Sequence, residues 1–262
     1  MKRVEILAVG SELLTPFHQD TNSLFLSERL NSLGLEVSFK AIVGDDEDDL
    51  ALMLEEAARL ADLILVMGGL GPTADDRTRE AAARVFGRKL LPSSEAAERI
   101  EDRFKRRGLP MPDCNRKQGL IIEGAAVLRN DCGTAPGQWI EWNGKIFVLL
   151  PGPPHELKSM FDAQVLPRLE SFRSGHFVRK ILKLTGLTES AVEEIMTGLY
   201  PDDPALGVTI LAKPGQIEIH LKSLSSSSRQ DAEARLKPLE AALLAKLGDN
   251  IFSAGGESLE EV

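Results

Sequence analysis

Little in this 262-residue chain points to a secreted, membrane-spanning or nucleic-acid-binding protein. Its two cysteines, Cys114 and Cys132, form neither a disulfide framework nor a thiolate metal motif. No apolar run approaches the roughly 18 residues that a membrane helix needs. Basic residues are in deficit. With 31 Lys and Arg against 40 Asp and Glu the formal charge is -9, the wrong sign for a surface that tracks phosphate backbones. Met1-Lys2-Arg3 runs straight into a strand pattern, so the basic start is not the opening of a signal peptide, and the cytoplasm is the expected compartment. There is no internal repeat, and the Gly-Lys-Ser/Thr ending of a phosphate-binding P-loop is missing.

What is present is an ordinary soluble composition, 43% apolar and 27% charged, with length for one large or two ordinary domains. The chain is organised around DLILVMGGLGPTADDRTRE, Asp62 to Glu80. Leu63–Met67 is a short apolar run, which suits a strand buried on both faces. Gly68, Gly69 and Gly71 follow, where the backbone can turn sharply and a ligand can approach bare main chain. Asp75 and Asp76 then stand at the expected start of a helix. They could cap its free N–H groups or bind a metal. Gly69-x-Gly71-x-x-Ala74 fits a relaxed dinucleotide fingerprint, but no acidic residue ends a following strand about 20 residues on. Carboxylates beside such a loop would repel a bare pyrophosphate unless a divalent cation lay between them.

Upstream, Val4–Val9 predicts a strand ending at Gly10-Ser11-Glu12-Leu13-Leu14. Asp20-Thr21-Asn22 offers caps for a helix over Ser23–Leu33, Glu36–Val43 predicts a second strand, and Gly44-Asp45 precedes an acidic helix start. The order is βαβαβα, which implies a parallel sheet covered by helices. Right-handed crossovers then bring Gly10–Leu14, Gly44–Asp46 and Gly68–Asp76 to one sheet edge, together with Glu12, Asp45 and Asp76.

Downstream, helices are expected over Asp76–Phe86 and Ser93–Arg107, the latter capped by Ser94 and ending in the basic FKRR. Arg116 and Lys117 could face an anion or sit on a solvated turn. Trp142-Asn143-Gly144 predicts a tight hairpin between Gln138–Glu141 and Lys145–Leu150. The second strand leads into the rigid turn Pro151-Gly152-Pro153-Pro154, with Glu156 at the next helix start. The pattern restarts near Ser171–Gly175. A strand over Phe177–Thr185, a helix from a Thr188 cap, a hairpin through Lys213-Pro214-Gly215 and a long helix Arg229–Leu247 make a small α+β unit. That unit contains no Gly-x-x-Gly, so KH-type RNA binding has no support.

GGLGPTADDRTRE, preceded by GSELL and VGDD and followed by NRKQ, GTAPG and LPGPPHE, resembles the CinA family of competence- and damage-inducible-type proteins. The resemblance covers essentially the whole chain. It implies an α/β, three-layer sandwich with a mostly parallel sheet, like the molybdopterin-binding domain of molybdenum-cofactor biosynthesis proteins, over residues 1–172. A small α+β KH-type domain over 173–255 would follow, and 256–262 would open a missing C-terminal domain or be a tail. Family members commonly continue into a nicotinamide-nucleotide amidohydrolase domain, so deamidation is not carried over. The family's first domain is associated with metal-dependent hydrolysis of ADP-ribose to AMP and ribose 5-phosphate. Asp76, Thr78 and Glu80 fall on the positions that follow the group's glycine loop, Asp45 on its early acid, and Pro151–Pro154 on its proline turn.

The expected metal ligands are Asp45, Asp75 and Asp76, holding Mg, Mn or Co, with potassium as a further candidate cation. Asp76, Glu12 and Glu156 are the catalytic candidates, the two glutamates being open between the ribose, a second metal and the base. Gly68, Gly69, Leu70, Gly71, Thr73, Asn22, Pro151 and Gly152 are the substrate-binding candidates. The segment PFHQ at Pro16–Gln19 departs from the family's glycine-bearing loop. A nucleotide substrate, no nucleic acid, no membrane and a homodimer are expected. The rival reading is a binding module that holds a pterin or nucleotide without turnover, for a partner or for the missing amidohydrolase domain; a nicotinamide-dependent oxidoreductase is disfavoured by the weak fingerprint.

Overall fold

The computed structural model describes residues 3–255 and Glu257. The chain divides into two compact units, the first ending at Arg173 and the second beginning at Ser174, with Ser32–Gly34 grouped with the second. The expectation for 256–262 lies outside the described residues, Glu257 apart.

In the first unit the elements run β1 (Val4–Val9), α1 (Asn22–Ser32), β2 (Val37–Val43), α2 (Glu47–Leu60), β3 (Leu63–Met67) and α3 (Thr78–Phe86). Then come β4 (Leu90–Pro92), α4 (Ser94–Arg106), β5 (Leu120–Ile122), β6 (Ala126–Leu128), β7 (Gly137–Trp142) and β8 (Lys145–Leu150). The unit closes with α5 (Pro154–Met160), a π turn at Phe161–Val165 and α6 (Leu166–Leu169). Six strands form one sheet in the order β2-β1-β3-β8-β7-β6. The first four are parallel, and β7 runs antiparallel to both its neighbours, β8 and β6. This is an open α/β architecture with a mostly parallel sheet. The apolar runs of β1 and β3 are buried along their whole length, as a strand covered on both faces requires.

Register positions the site. Val9 pairs with Val43, Ala8 with Met67, and Met67 with Leu150. The carboxyl ends of the four parallel strands are therefore level, and the loops after them emerge side by side. Asn143 and Gly144 both have positive φ, 49° and 75°, as a type I′ hairpin turn needs.

Two local expectations are corrected. The helix after the glycine loop begins at Thr78, so Asp75 and Asp76 do not cap it; the residue before it, Arg77, makes no side-chain cap bond. Asp76 instead spends its carboxylate inside the turn, where it accepts from the amide and hydroxyl of Thr73. In α4 the cap is Ser93, whose hydroxyl accepts from the Ala96 amide; Ser94 is the first helical residue. The short strands β4, β5 and β6 have three residues each, too few for a periodic signal.

The second unit comprises β9 (His176–Leu184), α7 (Glu189–Met196), β10 (Leu206–Lys213), β11 (Gln216–Ser225), α8 (Arg229–Leu247) and β12 (Ile251–Ser253). Its separate antiparallel sheet has the order β10-β11-β9-β12. Leu182, Ile219 and Leu221 from the sheet pack with Leu236 and Leu243 of α8 in one apolar core. Thr188 caps α7 through the Ala191 amide. No described helix is long and apolar enough to cross a membrane.

Candidate functional site

The level strand ends open into a cavity of about 680 Å³ in the first unit. The expected metal ligands, catalytic candidates and substrate-binding candidates line it, whereas Thr78 and Glu80 do not: Glu12 after β1, Asn22 at the start of α1, Asp45 after β2, Gly68–Gly71, Thr73, Asp75 and Asp76 after β3, and Pro151, Gly152 and Glu156 after β8. His18, Asp20, Gln118 and Thr134 join them. Glu12, Asp20, Asp45, Asp75, Asp76 and Glu156 make the wall strongly acidic, and His18 is the one basic side chain in it among the described residues.

The glycine loop is held from behind. Gly68 and Gly69 have φ of 101° and 66°, and a Cβ at either would collide with the Val9 carbonyl oxygen or the Thr78 hydroxyl. The loop's carbonyls are consumed one by one. The Thr78 hydroxyl donates to Gly68 O at 2.9 Å and its amide to Gly69 O at 3.2 Å. Arg79 donates to Leu70 O at 2.7 Å and to Gly71 O at 3.1 Å. Lys117 Nζ donates to Thr73 O at 2.6 Å and to Asp76 O at 2.8 Å. Gln118 adds a longer bond to Leu70 O.

With its carbonyls tied inward, the loop keeps the Gly69, Leu70 and Gly71 amides without an acceptor among the described residues. Three such amides on a glycine turn, backed by two cations, are the kind of arrangement that can receive an anion.

Arg79 and Lys117 pay electrostatically for this placement. Arg79 is fully buried. Burial lowers its pKa, with Glu80 and Asp76 opposing. Burial likewise lowers the Lys117 pKa, with Glu80 the first opposing charge. Lys117 lies neither on a free solvated turn nor among the residues lining the cavity: its ammonium braces the loop. Arg79 was missed in the sequence, although a signal existed. It lies three, four and seven positions before Ala82, Ala83 and Phe86, on the buried stripe of α3.

Besides Asp76, the Asp45 and Glu156 carboxylates are anchored by neighbouring donors. Asp45 accepts from the Ser11 amide at 2.8 Å, and the Ser11 hydroxyl accepts from the Asp45 amide at 3.2 Å. Glu156 accepts from Asn130 Nδ2 at 2.6 Å. Asn22 Nδ2 donates to Gly152 O at 2.7 Å, which ties the start of α1 to the proline turn. Among the described residues, no three His, Cys, Asp or Glu side chains come together as a metal cluster. The wall offers hard oxygen donors in type but no closed protein cage. That fits a magnesium-like ion, which takes one or two carboxylates and completes its shell with water and substrate phosphate.

Fold and cleft together define an open α/β protein that presents a glycine loop with free amides and several carboxylates at the carboxyl edge of its sheet. Residues 5–171 match the family model described as a probable molybdopterin binding domain, and residues 179–253 match the damage-inducible protein CinA KH domain. The chain belongs to the CinA-like protein family. It is 42% identical over 259 residues to a CinA-like protein of Solibacter usitatus, covering 98% of this chain and 62% of that one. To a CinA-like protein of Koribacter versatilis it is 43% identical, over 98% of this chain and 63% of the relative. The chain thus spans less than two thirds of the length of these relatives. The crystal structure of the protein CinA from Thermoplasma acidophilum is 31% identical, with a TM-score of 0.58 over 63% of this chain and 96% of that one.

Proposed function

We propose that the cleft binds a nucleotide through its pyrophosphate and hydrolyses it, with ADP-ribose giving AMP and ribose 5-phosphate. The observation that carries this reading is the pairing of opposites in one cavity. The Gly69–Gly71 amides lack internal acceptors, while six carboxylates line the remaining wall. A pyrophosphate alone suits the first and is repelled by the second; a metal-bound pyrophosphate suits both.

In this reading Asp76, with Asp45 or Asp75, holds the cation, which supplies charge neutralisation and a more acidic water. The loop amides receive a phosphate oxygen, and Arg79 and Lys117 keep the loop in its receiving shape. Water adds to one phosphorus, the bridging oxygen leaves with the other phosphate, and the water's proton passes to a carboxylate. Glu156 is the better placed acceptor because Asn130 fixes its orientation. Glu12 remains the candidate for the ribose. The same reading takes the protein as a cytoplasmic homodimer, which light scattering tests.

The second reading is a module that binds a nucleotide or pterin in the same cleft without turnover. AMP release from ADP-ribose, measured with magnesium, manganese or cobalt added singly and with or without potassium, separates the two. Tight binding with no AMP under any of these conditions would leave the binding module standing.

A further inference from the structure

A second, smaller cavity of about 160 Å³ lies in the first unit between α4 and the segment after β6. Arg99, Arg103 and Arg106 line it from α4 and Arg129 from the opposite side, against one carboxylate, Asp131. In a chain with a formal charge of -9 this is a local inversion of sign. The three helical arginines are spaced four and three residues apart, so they share one face, where like charges repel.

Their internal partners are few. Arg99 has Glu95 at 3.5 Å in an exposed pair. Arg103 donates to the Asp131 and Cys132 carbonyls and so holds the loop in place. Arg106 makes a single long bond from Nε to Asp102 O at 3.4 Å. The Arg129 guanidinium has no partner among the described residues. A helix C-terminus explains basic residues in its last turn. It does not explain a fourth arginine brought in from another segment to the same small cavity. The guanidinium group is the side-chain cation whose donors match the oxygens of a phosphate.

We propose that this cavity is a second oxyanion site, for a phosphate group of a phosphorylated ligand. Its volume suits such a group and not a whole nucleotide. It adjoins the main cleft, because Thr134 lines both cavities. Asn130 lines the arginine cavity and hydrogen-bonds Glu156 of the main one, so an anion here bears on the orientation of Glu156. The phosphate could be carried by a ligand reaching across from the cleft or by a free phosphorylated molecule.

The test is calorimetric titration of the full chain with inorganic pyrophosphate in the presence of magnesium at low ionic strength, so it stands or falls on binding and not on hydrolysis. Wild type should bind two pyrophosphates. The Arg106→Gln/Arg129→Gln variant, altered only at exposed side chains, should lose one of them or bind it about tenfold more weakly, the scale of one charge-assisted contact. Lys117→Met should weaken the other. If ADP-ribose displaces pyrophosphate from the arginine cavity, the phosphate belongs to the cleft's own ligand; if both bind together, it is a separate one. The proposal is overturned if the double variant, with a wild-type melting temperature, binds pyrophosphate as wild type does, or if wild type binds only one and Lys117→Met abolishes it. Should the double variant melt early, Arg106→Gln and Arg129→Gln singly carry the same comparison.

Discussion

Asp76 and Thr73 close the tip of the glycine loop on each other: one carboxylate oxygen accepts the Thr73 amide at 2.8 Å and the Thr73 hydroxyl at 2.6 Å. The acid that a helix-start pattern would make a cap is a turn clasp, with its carboxylate still on the cavity wall. Asp76→Asn keeps the size and one acceptor oxygen but removes the charge. AMP release should fall by about 10²–10³, the usual scale for losing one electrostatic group at a reacting centre. The melting temperature should fall by only about 2–4 °C, as for a loss of roughly 1 kcal/mol in a unit of this size. Asp49→Asn, in the exposed first turn of α2, is the control and should change neither. Normal turnover by the Asp76 variant would remove it from the mechanism.

Lys117 supplies a pH signature. Burial lowers its pKa from the ordinary lysine value of 10.5. On the alkaline side, then, the folded protein loses this proton before the unfolded chain does. Between the two pKa values the unfolded state binds more protons, so stability from this group rises with pH in that window. Anion binding moves the other way, because the ammonium that braces Thr73 and Asp76 is lost. Pyrophosphate affinity should therefore fall as the pH is raised, the decline setting in below pH 10.5 in wild type. Lys117→Met should bind about tenfold more weakly at neutral pH, consistent with one lost charge-assisted contact, and show no such alkaline limb. A limb that persists in the variant would assign it to another group.

In the second unit, Pro238 lies inside α8, on its exposed side. An interior proline removes one helical hydrogen bond and crowds the carbonyl four residues earlier, at a cost of about 3 kcal/mol. Pro238→Ala should stabilise this unit by about 1–3 kcal/mol, seen as a higher midpoint in denaturant-induced unfolding. An unchanged or lower midpoint would mean that a bend at Pro238 is needed for the packing of Leu236 and Leu243.

The sequence alone determined the parallel core and which loops share an edge. The apolar runs at β1 and β3, the glycines after them and the Asn143-Gly144 turn are local signals, and right-handed crossovers leave few ways to connect them. It likewise carried the candidate residues to one side of the sheet, since each follows a strand. Only the tertiary structure decided what those residues do to one another. Whether Asp76 caps a helix or clasps Thr73 depends on a turn two residues longer than the pattern suggests. Arg79 and Lys117 act on the glycine loop from a buried helix face and from a segment some forty residues downstream, about 44 from Thr73 to Lys117. The arginines of α4 converge with Arg129 only because the chain returns past them. Periodicity records which face of an element is buried; it does not record which donor will meet which carbonyl, because that depends on packing between elements distant in sequence.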